Sequence, residues 1–417
     1  MPHAISPPAS SSPSSPSGLL ILVTGANGFI ASHTIHLLLQ NGYRVLGTVR
    51  SESKAQSVLK THSELTPDFI HNLEVVVVSD ITTPGAYDSL FGEHKPSAVL
   101  HMASPFVYNT TDFEANLLLP AVRGTEAILS AATKASSVRR LVHTNSFACI
   151  YDASLGSRPG YTYTARDWCP LTYEDGARAS SPQVAYRASK AVAERSAWGL
   201  VGQQSTAAGT SQACGYDLIS LCPAMVFGPY LPTVHSMPTS IEELNTSNKL
   251  VWDVVSVGKD GQMPPTKGPV WIDVRDVAEA HVRSLSLELT TEHGPRTARS
   301  NGEGRTTIVD DKRRRFLLAK GIYCSQEIAD VARSVAPVNS KGQQSHTRAH
   351  QSYLDRIPVG KPGAREAQSH FGVDASVEEK LLAGKQGGWR DLRETLSELV
   401  PQLFEIEARG MEQVELV

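Results

Sequence analysis

The sequence predicts an α/β fold: a doubly wound parallel sheet carrying a smaller C-terminal cap. Three observations lead there. Short apolar runs alternate with stretches of helical periodicity from Leu19 to Thr144. The first run ends in a glycine-rich turn, Thr24-Gly25-Ala26-Asn27-Gly28-Phe29-Ile30-Ala31, that opens a helix. Beyond Pro229 the alternation weakens into a Pro-, Ser-, Thr- and Asn-rich segment, as expected of an appended cap. Strands separated by helices imply parallel pairing with right-handed crossovers.

The elements follow in order. Met1 to Gly18 is a Ser/Pro-rich tail with no charged start and no apolar stretch, expected to be disordered rather than a signal peptide. Leu19–Val23, Tyr43–Val49, Leu73–Ser79, Ala98–Met102 and Arg140–Thr144 read as strands, with helices over Phe29–Gln40 and near Leu117–Ala132. A sixth strand ends near Cys222. These divide the chain into a tail (1–18), a core (19–228) and a mainly cap-forming part (229–417) that returns to the core near 270–285. Gly321 to Pro337 reads as a helix-bearing return, and Val377–Leu382 and Leu392–Ile406 as helices that finish the cap. Two polar, turn-rich insertions, Gly202–Cys214 and Thr290–Arg315, read as flexible surface loops, and the run Lys312-Arg313-Arg314-Arg315 as solvated charge.

Composition narrows the class. Of 417 residues 41% are hydrophobic, enough for a sizeable core, and a net charge of -3 gives no electrostatic case for nucleic acid or an anionic membrane. No apolar stretch approaches the roughly 18 residues of a membrane span. Cys149, Cys169, Cys214, Cys222 and Cys324 are odd in number and never paired as Cys-x-x-Cys, so they read as reduced thiols in a cytoplasmic protein. The 14 histidines are scattered. His33 and His36 are three apart on a helix, but no carboxylate or cysteine joins them, so no metal site is expected.

The motifs supply the chemistry. Gly25 permits a sharp turn after the strand, Gly28 lets backbone approach a pyrophosphate, and Ala31 lets the helix pack closely, while Asn27, Phe29 and Ile30 complete the turn. At the end of the second strand, where an acidic residue would bind ribose hydroxyls, stand Arg50, Ser51 and, in the following loop, Lys54. These are charge-assisted donors for a 2′-phosphate, favouring NADP(H), although Glu52 keeps NAD open. Asp80 and Ile81 follow the third strand, where they would flank an adenine; Ala103 and Ser104, in His101-Met102-Ala103-Ser104-Pro105, follow the fourth, where the nicotinamide half must pass. Tyr186 and Lys190 lie one helical turn apart, placing a phenol and an ammonium on one face. A carbonyl that accepts hydride needs a proton donor at its oxygen and a charge to tune that donor. Tyr186 and Lys190 meet those needs and also stand beside the cofactor, where the Lys190 ammonium can hydrogen-bond the nicotinamide ribose, with Ser146 after the fifth strand to orient the oxygen; Thr144 is the alternative hydroxyl if the register is shifted.

Taken together, the chain resembles the extended short-chain dehydrogenase/reductases, in the dihydroflavonol 4-reductase-like branch with fungal ketone and aldehyde reductases. The resemblance rests on Gly25 to Ala31, Val49-Arg50, His101 to Pro105, Ser146 and Tyr186/Lys190. It is joined by Asp167-Trp168-Cys169-Pro170-Leu171-Thr172, Cys222-Pro223-Ala224-Met225-Val226-Phe227-Gly228-Pro229 and Trp271-Ile272-Asp273-Val274-Arg275-Asp276-Val277-Ala278. It implies a Rossmann core with a substrate-binding cap, NADPH as cofactor, Ser146, Tyr186 and Lys190 as catalytic triad, and Pro223 beside the cofactor. Its implied activity is reduction of a ketone or aldehyde, as in a ketoreductase of secondary metabolism. Asn145 departs from the Ser or Thr common beside the catalytic serine, and Ala121 stands where many relatives carry asparagine. A small-molecule carbonyl substrate and a monomer or homodimer are expected. A hydroxysteroid dehydrogenase/isomerase, a sugar-nucleotide epimerase or dehydratase and a non-catalytic NADP-binding sensor are the alternatives.

Overall fold

The computed structural model describes residues 18–104, 110–204, 215–287, 299–300, 306–307, 314–335, 353–365, 370–384 and 387–415. Most of the tail, Pro105, most of the 202–214 insertion including Cys214, most of 290–313 and the end of the Gly321–Pro337 stretch lie outside these residues.

The first strand, β1 (Leu20–Thr24), is apolar along nearly its whole length because both of its faces are covered. The chain then turns at Gly25 into α1 (Phe29–Gln40). Next come β2 (Arg44–Val49), α2 (Glu52–Leu65), β3 (Leu73–Val77), β4 (Ala98–His101), α3 (Leu119–Lys134) and β5 (Arg140–Thr144). The long helix α4 (Pro182–Gln204) starts on a proline, which suits a first turn whose N–H groups lack intrahelical partners. It leads to β6 (Asp217–Pro223). Strand β7 (Met225–Phe227), helix α5 (Thr246–Val255), strand β8 (Val270–Asp273) and helix α6 (Val274–Ser284) follow. The chain ends with β9 (Arg314–Leu318), α7 (Ser325–Ser334), α8 (Ser376–Leu382) and α9 (Leu392–Glu415).

The central sheet has seven strands in the order β9-β6-β5-β4-β1-β2-β3, and each of its pairs is parallel. Sequence order reverses between β4 and β1. Thr24 pairs with Thr48 on one side and His101 on the other, and His101 pairs with His143, so the strand ends are level. Chain leaving these ends converges on one edge, the crevice where open α/β sheets bind ligands.

One face of the sheet is sealed by α1 and α6 through Ile35, Leu38, Val277 and Ala280. The other face is sealed through Ile128 and Ala131 of α3 and Trp198 of α4. A second core joins the remaining elements: Phe227, Trp252, Trp271, Ile328, Leu396 and Leu403 bury one another. Parallel strands Thr162–Tyr163 and Gly372–Val373 stitch the chain after β5 to the C-terminal part.

Two expectations change. The basic run was expected in a solvated loop, yet Arg314 and Arg315 begin β9, which pairs with β6 from Arg314↔Ile219 to Leu318↔Pro223. Arg315 is held by a buried ion pair with Glu194, Nε to Oε1 2.9 Å, and its guanidinium lies 3.9 Å from the Trp168 ring centroid. The C-terminal part thus gives the central sheet its edge strand as well as the return at 270–285. Lys54, expected in a loop, stands in the first turn of α2, whose N-cap is Ser51.

Candidate active site

Each of the strand-end residues singled out above stands at the C-terminal edge of the sheet. Gly25 has φ +68°, and a Cβ there would lie 3.0 Å from the Ala103 Cα, so the turn after β1 and the chain after β4 touch backbone to backbone. Gly28 donates its N–H to the Gly25 carbonyl at 2.9 Å and is the N-cap of α1, with no side chain to cap it. Such a start leaves N–H groups and the positive end of the helix for an anion.

Asn27 and Gly28 are exposed, and Phe29 and Ile30 half-buried. Asn27, Phe29 and Lys54 line a cavity of about 400 Å³, closed on the far side by Tyr230, His235 and Glu243 from the segment after β7. That segment is anchored by Ser57 Oγ, which donates to the His235 carbonyl at 2.9 Å, and by the His235–Glu64 contact at 3.3 Å. Nothing in the sequence marked Tyr230, His235 or Glu243, since their approach depends on how the cap folds back. Arg50 is exposed at the end of β2 and does not line this cavity.

Asp80 is exposed, and its carboxylate accepts from Thr82 N at 2.8 Å, Thr82 Oγ1 at 2.7 Å and Thr83 Oγ1 at 3.2 Å. These bonds hold its pKa below the ordinary value and tie the carboxylate into its own turn. Ile81 packs against α3, where a Cβ on Gly124 would come within 3.1 Å of its Cδ1. Pro223 is buried as the last residue of β6.

The catalytic candidates gather beyond β4 and β5. Ser146 caps the short 3-10 turn Phe147–Cys149, its Oγ accepting from Ala148 N at 3.1 Å. On α4, the Lys190 Nζ lies 5.5 Å from the Tyr186 ring centroid. Lys190 is only 7% exposed, and burial brings its ammonium down to about 8. It donates to Ser104 Oγ at 2.6 Å. Asn145 Nδ2 approaches the Lys190 carbonyl at 3.4 Å, so the strand-end residue that departs from the family's usual Ser or Thr fastens the helix turn carrying the lysine.

Thr144, the alternative hydroxyl, contacts His281 Nε2 at 2.8 Å and so serves the packing of α6. Ala121 is buried in α3. Close to this edge, Cys149 and Cys222 meet with their sulfurs 3.6 Å apart, beside Glu194. The Arg315 guanidinium stands there as the cation, its Nη2 3.2 Å from the Cys149 sulfur.

The family described as NAD dependent epimerase/dehydratase matches residues 21–295. The chain is 32% identical to the NADPH-dependent methylglyoxal reductase GRE2 of Saccharomyces cerevisiae, over 93% of this chain and 99% of that protein. It is 31% identical to the ketoreductase azaE of Aspergillus niger, over 92% and 97% respectively. The crystal structure of yeast methylglyoxal/isovaleraldehyde reductase Gre2 complexed with NADPH superposes on 94% of this chain and 100% of its own, with a TM-score of 0.74 and 30% identity.

Proposed function

Because the chain belongs to the NAD dependent epimerase/dehydratase family, we propose that it is an NADPH-dependent reductase that converts a ketone or aldehyde to an alcohol, with Tyr186 as proton donor. The observation that carries this reading is the pairing of Tyr186 and Lys190 on α4, 5.5 Å from ring centroid to Nζ, on the sheet edge that also carries the glycine turn.

The residues at that edge fit the cofactor. A Cβ on Gly28 would lie 3.1 Å from the Gly25 carbonyl oxygen, so the turn keeps its backbone bare beside the uncapped start of α1. Lys54 and Arg50 are exposed cations suited to a 2′-phosphate. Ala103 and Ser104 border the nicotinamide half, and Ile81 the adenine. When bound, NADPH supplies the hydride that the carbonyl carbon accepts.

The protein's own groups do the rest. Ser146 donates a hydrogen bond to the carbonyl oxygen and fixes its direction. Tyr186 passes its phenolic proton to that oxygen as negative charge develops there. The Lys190 ammonium makes the phenol a stronger acid, since a positive neighbour favours its ionised form.

Directly after Ser146, Phe147 stacks on Tyr151 with ring centroids 5.8 Å apart, and both rings are half-buried. These rings pack in turn on Tyr163 and Phe371, and the substrate class, a ketone of secondary metabolism, rests on the family resemblance. The buried cysteines are free thiols, in keeping with a reducing cytoplasm, and no described helix is long and apolar enough to cross a membrane.

The test is cofactor consumption by the purified protein, with NADPH and NADH, against aldehydes, diketones, aryl ketones and a polyketide-like ketone. Turnover of at least one carbonyl with NADPH well ahead of NADH is expected. Replacing Arg50 and Lys54 together by glutamine should weaken NADPH selectively, because NADH has no 2′-phosphate to lose a partner. A preference for NADH in the wild-type protein would overturn the cofactor assignment. Tight NADPH binding without turnover on the whole panel would overturn the reductase in favour of a sensor.

A further inference from the structure

Lys190 is a cation in a nearly closed site, and the partner that meets its Nζ comes from a different strand end. Ser104 stands three residues past β4, and the chain leading to it is pinned from below. Thr24 Oγ1 accepts the N–H groups of Met102 at 3.1 Å and Ala103 at 3.0 Å. With those bonds accepted, its own proton is left for His101 Nδ1 at 2.9 Å, whose ring burial keeps neutral by lowering its pKa to about 3. Ala103 is also pressed against Gly25. The end of β1 therefore sets the position of Ser104 to within the play of one peptide. From the other side, α4 presents Lys190, and the two close at 2.6 Å.

We propose that Ser104 is the positioning residue of Lys190: its hydroxyl oxygen accepts the ammonium's hydrogen bond, aims the charge along the Tyr186 face and keeps it protonated inside the site. The inference rests on the reductase reading above. It adds a role toward the lysine to a serine otherwise assigned only to the cofactor.

The surroundings leave Ser104 this task. The ionisable groups facing Lys190 among the described residues are His101 from β4, His143 from β5, Cys149 beyond β5 and Tyr186 on its own helix. Burial holds both imidazoles neutral and pushes the Cys149 thiol up, so none of the three supplies a negative charge near neutral pH. Glu194, one turn further along α4, is committed to Arg315. A neutral oxygen at 2.6 Å therefore meets the Nζ directly, in a site whose desolvation already brings the lysine to about 8. Without it the amine deprotonates at lower pH, and the phenol loses its charged neighbour.

The experiment follows the titration of the Lys190 Nζ by NMR in ligand-free, lysine-15N-labelled protein, wild type against Ser104→Ala and Ser104→Thr. The midpoint should fall by about one pH unit or more in Ser104→Ala and return in Ser104→Thr, which restores the hydroxyl. The alkaline limb of kcat with NADPH should move to lower pH by the same amount. If Ser104→Ala does not fold, Ser104→Gly, which also lacks the hydroxyl and adds no ionisable group, should shift the midpoint in the same direction. A midpoint unmoved in every folded variant overturns the proposal, as does a loss confined to NADPH affinity with an unmoved limb. Because the titration needs neither cofactor nor turnover, it can fail while the reductase reading stands, and hold while that reading fails.

Discussion

Tyr186→Phe asks the most direct question at the scale of a single residue, because it keeps the ring's packing and removes the proton donor alone. If the phenol is the general acid, kcat should fall by roughly two to four orders of magnitude while NADPH affinity changes by no more than about a few-fold. Stopped-flow turnover with a fluorescence titration of NADPH reads both, and a variant that retains wild-type kcat would remove Tyr186 from the mechanism. Tyr186, Lys190 and the glycine turn were legible because each is a local pattern: one turn of helix, or one strand-to-helix junction, decides where the side chains go. Other residues depended on distant chain. Scattered along the sequence, the histidines pair in space, His36 stacking on His62 and His101 on His143. Asp80 is held locally instead, its exposed carboxylate accepting from its neighbours Thr82 and Thr83.

Among the elements, the strands that run from Leu20 to Thr144 could be read from their apolar runs, and their boundaries agree to within two residues. Strand β9 could not. Its first half is Arg314-Arg315, which in sequence continues a basic run, and the partner that makes a buried arginine tolerable, Glu194, is 121 residues away on α4. Beyond Glu194, Arg315 donates Nη1 to the carbonyls of Ala165 and Asp167 and Nη2 to that of Cys149. One guanidinium thereby ties β9, α4 and the chain before α4 together. Arg315→Met should cost about 3–5 kcal/mol in urea unfolding, because it leaves the Glu194 carboxylate buried without its counter-ion. Adding Glu194→Gln should recover a substantial part of the loss, since the stranded charge disappears with it. If the double variant is no more stable than the single one, the arginine acts through packing on Trp168 and its carbonyl bonds rather than by neutralising the carboxylate.

For the whole molecule, the buried imidazoles set the response to acid. Burial lowers His33 to about 4, His62 to about 3, His101 to about 3 and His281 to about 4, and holds His143 well below its ordinary value. The unfolded chain takes up these protons near pH 6.5, whereas the folded chain resists them. The stability they contribute is therefore complete above about pH 6.5 and is lost as the pH falls toward 4, at up to about 1.4 kcal/mol per histidine per unit. Asp276 works in the other sense. Desolvation and the neighbouring Asp273 raise it to about 6 against the pull of Arg390, so its contribution is full below 3.8 and fades as the pH rises through about 6. Burial raises Glu378 in the same sense as Asp276 and lowers His36 with the other rings, so two carboxyls oppose six imidazoles and the rings prevail. These rings are spread over the layers: His33 and His36 on α1, His62 on α2, His101 and His143 in the central sheet, and His281 on α6. Their protonation loosens both sides of the sheet at once rather than a single corner. Urea midpoints of the ligand-free protein at about pH 7, 6 and 5 should fall steadily, with a loss on the order of several kcal/mol by the last. A midpoint that holds steady or rises toward pH 5 would mean that the imidazoles take up their protons without unfolding the chain, and that they do not hold the two faces of the sheet in this way.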